Sequence, residues 1–87
     1  MATRASIDHC LQNCEDVLRN AQEQYKLASK QEHYNDDSFL QCQQQLESAY
    51  NDIQKLAHSS NDQQREQLNR MRMQIMKMQS SMSHLGH

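Results

Sequence analysis

From Phe39 to Leu56 an apolar residue recurs at steps of three and four: Phe39, Cys42, Leu46, Ala49, Ile53 and Leu56. That spacing holds one stripe on one face of an α-helix, and the stripe has to be covered by other apolar surface. Both flanking segments carry a matching stripe. Ile7, Leu11, Cys14, Leu18, Ala21, Tyr25 and Ala28 precede it; Leu68, Met71, Ile75, Met78, Met82 and Leu85 follow it. The chain has no proline, and its one glycine is Gly86, so nothing within these segments interrupts a helix. The pattern predicts an all-α, antiparallel up-down-up three-helix bundle, with coiled-coil-like heptads, as a single domain over 1–87. Helix 1 is expected over about 6–31, helix 2 over about 38–58 and helix 3 over about 62–83.

Two polar clusters mark the turns. Gln31-Glu32-His33-Tyr34-Asn35-Asp36-Asp37 is rich in turn-formers, with Asp37 or Ser38 suited to cap helix 2 and Asp36 and Asp37 suited to its dipole. His58-Ser59-Ser60-Asn61-Asp62 is the second. Continuing the helix 2 register through it would put Ser60, Gln63 and Gln67 in the core, so the phase is expected to break there. Ser60 with Gln63 has capping-box spacing, and Asn61 or Asp62 can also cap. The alternative is a helical hairpin with one long bent second helix. Such a chain could form a swapped dimer with almost the same stripes.

Folding the stripes back about these turns gives five layers: Cys14/Ile53/Leu68, Leu18/Ala49/Met71, Ala21/Leu46/Ile75, Tyr25/Cys42/Met78 and Ala28/Phe39/Met82. Each sets small residues against large ones, as close packing requires. The core is small for 87 residues, which leaves room for further burial through self-association or a partner.

A formal net charge of −2 implies no class of partner by long-range electrostatics. No stretch approaches the roughly 20 apolar residues of a membrane span, and none near Met1 has the apolar run of a signal peptide. Three cysteines, an odd number without framework spacing, suit a reducing cytoplasm.

Cys10 and Cys14 lie on neighbouring turns of helix 1 with His9 beside them, the donor types of a zinc or redox site. Cys14 is on the core stripe and Cys10 flanks it, so packing is the simpler role. No nucleophile–base arrangement and no phosphate-binding glycine loop can be assembled, and neither an enzyme nor a cofactor is expected. Helix 3 is the least ordinary segment. Met73 lies on its outermost face and Met76 also lies outside the core, with Arg70, Arg72 and Lys77 around them. From Asp62 to Met78 there are four basic and two acidic residues; the rest of the chain has five basic and nine acidic. Exposed methionine beside cations fits a docking surface for a partner helix or an acidic protein. Nucleic-acid binding through Arg65, Arg70, Arg72 and Lys77 is the weaker reading, since no aromatic residue lies among them.

Gln31-Glu32-His33-Tyr34-Asn35-Asp36 and Gln63-Gln64-Arg65-Glu66-Gln67-Leu68-Asn69-Arg70-Met71-Arg72, with the Met1-Ala-Thr-Arg start, resemble the YtzC-like family of small Bacillus proteins. The resemblance runs along essentially the whole chain. It implies a short cytoplasmic helical protein of spore-forming Gram-positive bacteria in a family of unknown function, and carries no catalytic residue with it. The residues themselves point to a non-enzymatic interaction or assembly module, acting on itself or on a protein partner through Arg70, Arg72, Met73, Met76 and Lys77. A small metal-binding or redox-sensing protein using Cys10, Cys14 and His9 is the competing class.

Overall fold

Thr3 decides where the first helix begins. In the computed structural model, which describes residues 3–30 and 37–85, the Thr3 hydroxyl accepts a bond from the Ser6 backbone N–H at 3.0 Å. That satisfies one of the donors a helix start leaves free, and α1 runs from there as Arg4–Lys30. The second helix, α2, is Asp37–Ala57, with the Asp37 carboxylate in its first turn where the helix dipole favours an anion. The third, α3, is Asp62–Leu85. The turn expected across the first polar cluster falls on residues 31–36, outside the described residues. Among the described residues there is no strand, and each helix packs against the other two. The three-helix bundle expected from the stripes is the fold, about 46 × 18 × 15 Å in extent.

The helices α2 and α3 are separate, which sets aside the long bent helix. Several groups together end α2. The Ser60 hydroxyl donates to the Leu56 carbonyl at 2.6 Å, and the Ser59 and Ser60 backbone N–H groups donate to Leu56 and Ala57. From the other side of the turn, Arg65 Nε donates to the Ala57 carbonyl at 3.2 Å. The capping box sits one residue beyond the expected Ser60/Gln63 pair. The Gln64 N–H donates to Asn61 Oδ1 at 2.8 Å, and the Asn61 N–H donates to Gln64 Oε1 at 3.1 Å. The reason is that Ser60 is turned inward, 6% exposed, with its hydroxyl already committed to α2. The α2 stripe therefore runs on to Ser60, while Gln63 and Gln67 are exposed.

This turn makes a testable claim. Asn61→Ala should cost about 1 kcal/mol and Asn61→Gly only a few tenths, because glycine is itself a fair N-cap. Thermal unfolding followed by circular dichroism would check it; no loss in Asn61→Ala would mean that the box contributes nothing.

The core comprises Ile7, Cys10, Cys14, Leu18, Ala21 and Ala28 of α1, Phe39, Cys42, Leu46, Ala49 and Ile53 of α2, and Leu68, Met71, Ile75 and Met82 of α3. Leu11, Tyr25, Leu56 and Met78 from the stripes are only partly buried. Between α2 and α3 the register is the expected one, with Ile53 and Leu68 lining one cleft. Against both of them α1 is displaced along the bundle by one step of its stripe. The Asn20 amide meets Cys42, for which the expected layer named Tyr25, with Nδ2 donating to Sγ at 3.0 Å. Leu18 stands level with Gln74, Lys77 and Met78, beyond its expected partner Met71. The displacement covers Ile7 and Cys10, which the expected layers left without partners. They are 2% and 8% exposed.

Candidate partner-binding surface

The outer face of α3 follows from the same periodicity as its inner face. With Leu68, Met71, Ile75 and Met82 buried, Met73 and Met76 fall off that stripe and are turned outward. Met73 is 61% exposed and Met76 46%. An unbranched thioether in water loses the burial that a methionine normally gains, and its flexible chain adapts to differently shaped partners.

The basic residues singled out with these methionines do not form one cluster. Arg72 lines the cleft between α2 and α3, about 350 Å³, together with Ile53, Ala57, Arg65 and Leu68. Lys77 lines the opposite cleft between α1 and α3, about 320 Å³, with Leu18 and Met78. Arg70 is seven residues from Lys77 and so shares its strip of the helix. The methionines thus form a crest with a cation strip on either side. From Gln67 to Leu85 the chain carries Arg70, Arg72 and Lys77 and no acidic residue. Arg70 is paired with Glu66 at 2.8 Å, an exposed pair of the kind worth about 0–1 kcal/mol. Arg72 donates through Nε and Nη2 to Asn69 Oδ1 at 3.1 and 2.6 Å, which orients the guanidinium without neutralising it. Arg65, grouped with them in the nucleic-acid reading, is held over the end of α2 by its bond to Ala57.

Among the described residues, Leu27 and Leu40, 52% and 54% exposed, are the other large apolar residues on the surface. Sequence reasoning passed them over, although the off-stripe test that found Met73 and Met76 would have found both.

Cys10 and Cys14 are both buried, and no disulfide joins any of the three cysteines. His9 is exposed; it shares a cleft with Cys10, Asp52 and Lys55, while Cys14 is fully enclosed. Burial pushes the Cys10 thiol pKa up, the Cys14 thiol opposes this, and the Asp52 carboxylate adds to it. Cys14 is pushed up to about 12, first by burial, then by Cys10 and Asp52. Nucleophilic and metal-ligating cysteine is thiolate, so this environment works against both roles. Among the described residues no group of three or more His, Cys, Asp or Glu side chains is placed to hold a metal ion. Among them, too, no helix is long and apolar enough to cross a membrane.

A core to which all three helices contribute, with Met73 and Met76 exposed on the outer face of α3, defines a small helical-bundle protein. The chain belongs to the family described as Protein of unknown function (DUF2524), whose model matches residues 1–83. It is 56% identical over 82 residues to a protein of Bacillus subtilis (strain 168) described as uncharacterized protein YtzC, covering 94% of this chain and 91% of that one. The likeness read from the two polar stretches is thus a relationship along nearly the whole chain. No solved structure matches it.

Proposed function

We propose that this protein is a non-enzymatic interaction module of the cytoplasm, binding a protein partner through the outer face of α3. The observation that carries the reading is the pair Met73 and Met76, 61% and 46% exposed, on a helix that buries Leu68, Met71, Ile75 and Met82 in the core. Two exposed methionines one turn apart, edged by Arg70, Arg72 and Lys77, form an adaptable apolar strip with charged borders. Such an arrangement suits helix-in-groove or helix-on-helix docking. Three buried cysteines, none in a disulfide, are in keeping with a reducing compartment.

The test is affinity capture from native lysate with wild type and Met73→Glu/Met76→Glu in parallel. Each side chain is exposed, so the double variant should keep its helicity and lose no more than about 1 kcal/mol of stability. At least one protein should be retained by the wild type and absent from the variant. Identical captures, with both baits folded, would overturn the reading.

A further inference from the structure

We propose that the occupant of the α3 crest is an acidic amphipathic helix of another protein, its apolar stripe seated on Met73 and Met76 and carboxylates along both edges of that stripe. The inference rests on the reading of α3 as the docking surface and adds the chemistry of the partner.

Three observations support it. The cations flank the crest on both sides: Arg72 stands over the α2–α3 cleft and Lys77 over the α1–α3 cleft. A helix lying along Met73 and Met76 therefore meets positive charge on each border, and carboxylates on one border alone would answer only half of it. The charge is also available. Arg72 is held only by the neutral Asn69 amide, and Glu66 is the sole acidic residue paired within this strip, with Arg70. Third, the strip is unsuited to pairing with its own copy. Two such strips face to face would set Arg70, Arg72 and Lys77 against their equivalents, and no acidic residue from Gln67 to Leu85 is there to answer them. Like charges across an interface are strongly disfavoured, so the strip selects a surface of opposite sign over a face-to-face copy of itself.

The experiment uses the full chain and two synthetic helical peptides sharing one Leu/Met stripe, one bordered on both sides by Glu and the other by Lys. Binding is read by fluorescence anisotropy. The Glu-bordered peptide should bind, more weakly as salt rises, and the Lys-bordered peptide should not. Arg72→Gln/Lys77→Gln should weaken the Glu-bordered peptide on the order of tenfold, and Met73→Glu/Met76→Glu should abolish its binding.

Equal binding of the two peptides, no binding of either, or indifference to Arg72→Gln/Lys77→Gln would overturn the proposal. Vesicles containing phosphatidylglycerol serve as the other arm: binding to them without binding to the Glu-bordered peptide would assign the crest to an anionic membrane surface and also overturn it. The two readings fail separately. A lysate protein lost from Met73→Glu/Met76→Glu, with no peptide bound, would keep α3 as the docking face and discard the acidic helix.

Discussion

Replacing Leu46 by alanine should lower the stability of the bundle by about 2–5 kcal/mol. Leu46 is fully buried, midway along the helix that packs against both others. Truncation removes its transfer free energy and leaves a cavity that rigid neighbours fill only in part. Native domains are stable by roughly 5–15 kcal/mol, and small ones bury too little surface to lie high in that range. The loss is thus a large share of the total, and for a chain of this size it should lower the melting temperature by roughly 10–25 °C. Leu40→Ala, on the same helix but 54% exposed, should stay within about 0.5 kcal/mol. Parallel thermal melts would check the pair. Equal shifts would mean that Leu46 is not enclosed as described.

The second large effect is a loss of stability in alkali. Cys14 is pushed up to about 12 in the fold, mainly by burial, from a usual thiol value of 9.0. Between these values the unfolded chain releases the proton while the folded chain retains it. The folded state then binds more protons, and stability falls as pH rises. The contribution is fully present below pH 9 and is lost by about pH 12, at roughly 1.4 kcal/mol per unit and at most about 4 kcal/mol in all. Burial moves Cys10 in the same direction. Denaturant unfolding at stepwise pH from 8 to about 11 should show a steeper decline for wild type than for Cys14→Ala, which has no thiol to ionise there. Parallel slopes would show that Cys14 titrates alike in both states. Below pH 9 the same burial keeps the thiol slow toward disulfide reagents, because the thiolate is the reactive form.

The turn between α2 and α3 shows how far local pattern carries and where it stops. Four cap-forming residues in a row, Ser59 to Asp62, announced a break between His58 and Asp62, and a break is there. Which residue caps was not decided by spacing, since Ser60/Gln63 and Asn61/Gln64 are equally well spaced. Burial decided it, by turning the Ser60 hydroxyl back onto Leu56. In the candidate surface, periodicity was enough to mark Met73 and Met76 as outward. It could not say that Arg72 and Lys77 stand over different clefts, because that depends on which neighbour each flank of α3 meets.

The sequence by itself determined that the chain is three helices, which face of each is apolar, and how α2 meets α3. Those properties come from a 3-4 repeat and a short turn, both local. The position of α1 was left to the tertiary structure. A heptad stripe slid by one step still sets apolar on apolar, so the core interior does not distinguish the two registers. The ends do. In the displaced register Ile7 and Cys10 are 2% and 8% exposed, and the apolar area they remove from water favours it.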